Sequence, residues 1–475
     1  MVKRFLLGLA LLAIWVLQLA AQSFDFSDAA REQRIRNDIT ILAGDSLQGR
    51  ESGTAGEYMA RHYIASQFEE AGLKPMFLGN SYFQRFTYED QPSYGRFNYF
   101  KLNGKELRLY HDYYALPFSG SDSLDAEAVF AGYGISMPEE GIDDYASLQD
   151  VSGKVLIINT SLPEAFKKNE AVVRMSGKAD KVNLAVQKGA RAVIFILGEN
   201  EVLEPNHMLN HYEAVSSVPV IFLRDRKLLQ NDGNTVKIRV NILREKNRTA
   251  YNVAGYIDNG AENWVVIGGH YDHMGWGIGA DGKPDIFNGA DDNATGTAAV
   301  IEIARFLSQS GLKNNNYVLC AFSAEEKGLI GSTFFTNSKT LELEKINYMI
   351  DLDMVGKLDD KRNLLVFGSG TSSIWKKALT EANQFKLKVK QSKSGVGGSD
   401  HMPFYYKDIP DIFIHTGLHK DYHTPADDID KINYPGIGDV VKYTEKIIEF
   451  LNDKGKLPFS KTSGMQAVWG ATKMM

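Results

Sequence analysis

The chain has 475 residues, with 53 Lys and Arg against 59 Asp and Glu and a formal charge of −6. That length holds roughly two or three domains, and 44% hydrophobic with 24% charged residues are globular proportions, not those of a disordered or fibrous chain. The net negative charge and the absence of any Lys/Arg block exclude a general nucleic-acid binder, and a single cysteine, Cys320, excludes an intramolecular disulfide.

The first residues, MVKRFLLGLALLAIWVLQLAAQS, join Lys3 and Arg4 to an apolar stretch that ends in small residues. This is the pattern of a secretory signal, cleaved near Ala20 to Gln22 and spanning residues 1–22. A retained membrane anchor is the alternative, since the stretch approaches spanning length; no later segment does. Residues 28 to 73 predict two helices, with Tyr63, Ile64, Phe68 and Leu73 near helical spacing and the turn-rich DSLQGRESGT between them. Residues 80 to 125 alternate and are rich in aromatics, which predicts strands with a hairpin at Asn103-Gly104. Residues 23–124 are therefore assigned to the first part of the main domain.

From about residue 125 the pattern changes to short apolar strands, AEAVFAGYGI, SGKVLIINTS, GARAVIFILG and VPVIFLR, punctuated by glycines. No group of His or Cys there could do chemistry. The Gly132-Tyr133-Gly134 element, the Asp144-Tyr145 pair, Gly153-Lys154-Val155 and the helix with Lys178, Asn183 and Lys188-Gly189-Ala190 resemble a protease-associated domain, a small α+β module. Residues 125–245 are thus expected to form an inserted unit that shapes access to a site elsewhere.

From Tyr251 strands alternate with helices: YNVAGYI, NWVVIGGH, YVLCAF, YMIDLDM, NLLVFG and DIFIHTG between TGTAAVIEIARFLSQSG, SSIWKKALTEANQF and VVKYTEKIIEFLN. That order predicts an α/β fold, with a mostly parallel central sheet covered by helices on both faces. Chemistry in such sheets gathers at the carboxyl ends of the strands. Five of those ends carry polar residues: His270, Asp272 and His273; Asp291 and Asp292; Glu325 and Glu326; Asp351 and Asp353; and His423. Each alone has a bland reading, as a capped histidine, a helix cap or a buried ion pair. Five together do not, because carboxylates clustered at the mouth of a core must have a cation among them. Imidazole with carboxylate suits zinc, and two ions roughly 3.5 to 4 Å apart can share one carboxylate and one water. Glu325 and Glu326 then divide their work, one binding metal and its neighbour handling the proton.

His270-Tyr271-Asp272, Gly289-Ala290-Asp291-Asp292 with Gly296, Ser323-Ala324-Glu325-Glu326 with Gly328 and Gly331, Leu352-Asp353-Met354 and Tyr422-His423-Thr424 resemble the ordered motifs of the co-catalytic zinc aminopeptidases, the family that includes glutamate carboxypeptidase II. The resemblance covers residues 251–453, with the insertion where such enzymes often place one. It implies the zinc exopeptidase fold, a di-zinc domain over residues 246–455 followed by a tail at 456–475, and two zinc ions per chain. It further implies that Asp292 bridges the ions, His270 and Asp353 complete one site, and Glu326 and His423 the other. Asp292 is preferred to Asp291 because Gly296 lies four residues on, as in the pattern of the family it resembles. Asp272 would orient His270, and Glu325 would be the general base.

Asp400 and His401, in GVGGSDHMPF, resemble the family's pocket-lining element. His273, Asp351, His415 and His419 are assigned structural roles, and the Asn293-Ala294-Thr295 sequon is read as chance. The expected activity is removal of N-terminal residues from peptides by an exported enzyme with no stable membrane insertion once the signal is removed. A carboxypeptidase relative, a glutaminyl cyclase and a ligand-losing receptor are the rivals. The first is disfavoured because the insertion precedes His270 and does not follow the Glu-Glu strand. The second is disfavoured by the full second set of ligands, and the third because every ligand position is filled.

Overall fold

The computed structural model describes residues 24–462, apart from positions 149, 199–200, 203, 207, 210 and 212–213. The signal segment expected at residues 1–22 lies outside the described residues. Among the described residues no helix is long and apolar enough to cross a membrane.

Nine strands form the main sheet: β1 Lys74–Pro75, β2 Phe83–Glu89, β3 Asn247–Ile257, β4 Trp264–His270, β5 Asn316–Phe322, β6 Ile346–Leu352, β7 Asn363–Phe367, β8 Lys388–Gln391 and β9 Asp411–His415. Their order is β1-β3-β5-β4-β6-β9-β7-β8, with β2 also paired to β3. The central four, β5-β4-β6-β9, are parallel, and antiparallel pairings flank them at β3/β5 and β9/β7. The sheet is therefore mixed at its edges and parallel where the polar strand ends lie.

Alternation along β4 shows why both faces are covered. Val265 and Ile267 join a core with helices α1 Asp28–Leu42, α2 Ala55–Glu70, α3 Gly296–Gln309 and α4 Tyr434–Asn452. Val266, pointing the other way, packs with Cys320, Met349, Phe335 and Phe404, the last two from short helices on the opposite face. Side-chain caps start the helices: Ser27 for α1, Thr54 for α2 and Asn433 for α4 each accept a first-turn N–H. Buried ion pairs lock three of them together, Arg31 with Glu445 at 2.9 Å and Arg305 with Asp38 at 2.9 Å, around the fully buried Glu302.

Eight further strands form a second sheet, in the order Lys105–Leu107, Tyr99–Leu102, Asn234–Val240, Asp122–Phe130, Val155–Asn159, Ala192–Ile196, Val220–Leu223, Tyr113–Ala115. The aromatic strands near residue 100 thus pair inside the inserted unit, and a boundary at 125 is too late. The chain leaves the main sheet where Glu89 faces Asn247 and where the Asp90 N–H meets the Lys246 carbonyl at 2.8 Å. The inserted unit therefore runs from about Gln91 to Glu245. Nor do residues 456–462 form a free tail. Leu457 is buried in the main core and its N–H donates to Asn347 at 2.8 Å.

A hairpin, Gly275–Ile278 with Pro284–Phe287, runs from the end of the His270 segment to the inserted unit. Arg96 lies 3.9 Å over the Trp276 ring, and Ile278 packs against the unit's core. The insertion is thereby tied to the loop that follows the polar end of β4.

Candidate metal centre

The polar residues predicted at five strand ends converge. His270 closes β4, and its Nδ1 is held 3.1 Å from the Asp272 backbone carbonyl, leaving Nε2 to face Asp292 Oδ1 at 3.2 Å and Asp353 Oδ1 at 3.3 Å. His423, from the loop after β9, puts Nε2 3.1 Å from Asp292 Oδ2 and 3.2 Å from Glu326 Oε2. Two groups of ligand-type atoms result, His270-Asp292-Asp353 and His273-Asp292-Glu326-His423. Asp292 belongs to both, offering one oxygen to each.

These spacings fit a metal. Two ligand atoms on a tetrahedral zinc, with bonds of about 2.0–2.1 Å, stand roughly 3.3 Å apart. The four separations above fall at 3.1–3.3 Å. His423 Nε2 is buried between two carboxylates without hydrogen-bond geometry to either, as suits a space that an ion fills.

Charge tells the same story. Burial works against a cationic His423, yet Asp292 and Glu326 raise it to about 10. Burial opposes a charged His270 too, but Asp353 and Glu325 carry it well above the imidazole range. Burial disfavours an ionised Asp292, but His273, His270 and His423 hold its carboxyl far below the usual range. Asp353 is pushed up to about 6 by burial, with His270 opposing. Positive charge is being drawn into the centre from its own imidazoles.

The loop carrying Asp292 is fixed from three sides. Asp427 accepts the N–H groups of Asp291 and Asp292 at 3.0 Å. Asn293 donates to the Leu352 carbonyl at 3.1 Å and accepts from Gly296 and Met354 at 2.8 and 3.1 Å, joining this loop to the end of β6 where Asp353 sits. Being fully buried and bonded in this way, Asn293 is no glycan acceptor. Gly289 has φ +56°, and a Cβ there would lie 2.1 Å from the Asp292 carbonyl oxygen and 2.4 Å from the His273 ring.

Asp272 sits differently from its expected place. The His270 ring is oriented by the Asp272 backbone, while the Asp272 carboxylate lies 3.9 Å from Nδ1 and instead accepts the Glu325 N–H at 3.1 Å. Burial lifts that carboxyl to about 7. Glu325 is in neither ligand group. Burial pushes it well above the carboxylate range, with His270 opposing and Asp400 and Asp353 adding.

Asp400 and His401 are fully buried beneath the centre. The His401 backbone N–H donates to the Asp351 carboxylate at 3.0 Å, and its ring stacks on Phe413. His415 stacks against both Phe413 and Phe367, which also contact each other, and His419 stands 3.1 Å from Asp291. His273, expected to be structural, lies among the ligand-type atoms of the second group.

Two supporting residues carry no sequence signal. Arg50, fully buried, donates to the carbonyls of Leu42, Tyr271, Asn288 and Gly289, so it binds together the loops that bear His270 and Asp292. Burial brings its guanidinium down to about 10. Glu57 accepts from Ser323 Oγ at 2.7 Å, Tyr271 OH at 3.0 Å and the Tyr251 N–H at 3.0 Å, tying α2 to the end of β5.

Because His423 holds a proton up to about pH 10 in the metal-free protein and zinc binds only neutral imidazole, loading should expel protons. Zinc affinity should then rise with pH through the neutral range. Calorimetric titration at pH 7.5 in two buffers of different ionisation enthalpy should give different heats; equal heats would contradict this.

Residues 252–448 match the model of peptidase family M28. Aminopeptidase YwaD of Bacillus subtilis (strain 168) is 27% identical over 272 residues, 54% of this chain and 55% of that protein. Leucine aminopeptidase 2 of Arthroderma otae is 28% identical over 241 residues, 46% of each. The chain spans about half the length of these curated relatives. A solved zinc aminopeptidase from Bacillus subtilis shares the fold, with a TM-score of 0.53 at 24% identity over 88% of this chain and 95% of that one. The span that matches the family model, residues 252–448, holds both ligand groups.

Proposed function

We propose that the protein is an exported di-zinc aminopeptidase that hydrolyses N-terminal residues from peptides. The observation that carries this reading is the Asp292 carboxylate, whose two oxygens face two separate ligand groups at 3.2 and 3.1 Å. His270, Asp292 and Asp353 would hold one ion, and Asp292, Glu326 and His423 the other. Zinc bound there supplies a Lewis acid for the scissile carbonyl and lowers the pKa of water.

The chain's own groups do the rest. Glu325, beside the ligands but outside both groups, takes a proton from the attacking water and delivers it to the leaving amine. Burial raises its carboxyl toward the range where a general base and acid can exchange roles. The Asp272 carboxylate holds the Glu325 backbone N–H and so sets where that base stands.

Preference for an amino terminus follows from the charges. With two zinc ions offsetting Asp292, Asp353 and Glu326, the reading rests on the cations nearby, since a terminal carboxylate needs a free Arg or Lys. Arg50 has its donors engaged by carbonyls. Lys327 and Arg248, close by, are paired with Glu51 and Asp90. Export rests on the apolar start of the chain, and the inserted unit is read as protease-associated-like.

Peptides with a free N-terminus should be cleaved, and their N-acetylated forms should not. Equal rates on both would remove the aminopeptidase reading. Glu325→Gln should lower turnover by about two to four orders of magnitude with zinc content unchanged. Glu326→Gln should lose affinity for one ion and regain part of its activity in excess zinc. Loss of an ion from Glu325→Gln would show that the two roles are reversed.

A further inference from the structure

One buried imidazole in the centre does not fit the ligand pattern. His273 Nδ1 lies 2.7 Å from Glu326 Oε1 and 3.7 Å from Asp292 Oδ2. The first separation is a hydrogen bond, well short of the roughly 3.3 Å expected between two atoms on one tetrahedral zinc; the second is longer than that. Glu326 uses its other oxygen, Oε2, toward His423 at 3.2 Å. The two glutamate oxygens therefore face different partners.

We propose that His273 is a positioning residue that holds Glu326 Oε1, so that Glu326 meets the ion through Oε2 alone. This rests on the two-zinc reading above. A carboxylate oxygen only accepts, so Nδ1 carries the proton. Nε2, the other ring nitrogen, is buried without a hydrogen-bond partner, so the contact to Glu326 is the ring's one polar anchor among the described residues. The ring has little freedom to turn away. Its backbone N–H donates to the Arg50 carbonyl at 3.4 Å, Gly289 leaves no space for even a Cβ beside it, and the His423 ring meets it edge-on at 5.7 Å. Arg50 thus reaches Glu326 through His273, as well as gripping the ligand loops directly.

Without this hydrogen bond Glu326 Oε1 is free to swing and the glutamate loses its fixed approach. Partners that orient a metal ligand are typically worth 10–100-fold in metal affinity. The effect should fall on the ion that Glu326 binds, since the one short contact of His273 is to Glu326 at 2.7 Å, its approach to the shared Asp292 is 3.7 Å and to the oxygen on the Glu326 side, and among the described residues no ion pair joins it to Asp353.

The test is chelator competition for zinc on the wild-type protein, His273→Ala and His273→Asn, with visible absorption of the cobalt-substituted forms. The Asn amide can place an N–H close to where Nδ1 stood. The expected result is two ions in the wild type, one ion weakened about 10–100-fold in His273→Ala with the other unchanged, and recovery of most of that loss in His273→Asn. Unchanged affinities in His273→Ala, equal weakening of both ions, or no recovery in His273→Asn would each overturn the proposal. Loss of the ion from both variants with a changed cobalt band would make His273 a ligand and overturn it too. A wild-type protein that takes one ion would instead defeat the two-zinc reading, and that outcome is read before any variant.

Discussion

Asp292 is the constraint on which the rest of the centre depends. A buried carboxylate without a partner is costly, and this one stands among Asp353, Glu326, Glu325 and Asp272 in the same small volume. It is held there because Asp427 takes up two backbone N–H groups at its loop and Asn293 stitches that loop to the end of β6. With the backbone fixed, the carboxylate has one oxygen for His270 and one for His423. Positive charge between those groups is what makes the arrangement tolerable.

The sheet explains why such a cluster can be assembled at all. Parallel strands β5, β4, β6 and β9 end at one edge, so residues distant in sequence arrive side by side without any long reach. The strands are covered on both faces, which removes water and strengthens every interaction among the charges. The N-terminal helices then act as clamps. Glu57 from α2 fixes the turn before Glu325, and Arg50, between α1 and α2, fixes the loops before Asp292 and after His270.

That His270, Asp292, Glu326, Asp353 and His423 converge was legible in the sequence because strand ends are. Apolar runs that stop at His270, before Glu326 and at Asp353 tell where side chains emerge from the sheet. His273 escaped because it lies past β4 in irregular chain, where no period says which way a ring points. Asp272 was placed in the right pocket but with the wrong group doing the orienting, since sequence spacing cannot distinguish a carboxylate from the backbone carbonyl of the same residue. Arg50 and Glu57 both hold Tyr271, more than 200 residues away, and one lies in a turn, the other in a first helical turn, where an acid is ordinarily a cap. The start of the inserted unit was missed for a related reason: alternation in residues 99–107 reveals strands but not which sheet they join.

Zinc content set against activity decides the central claim. Metal-free protein should be titrated with zinc while hydrolysis of an unblocked peptide is followed and bound metal is measured by elemental analysis. Two ions per chain at saturation, with both ligand groups filled, is the expected result. A fully active protein that never holds more than one ion would contradict the shared role of Asp292.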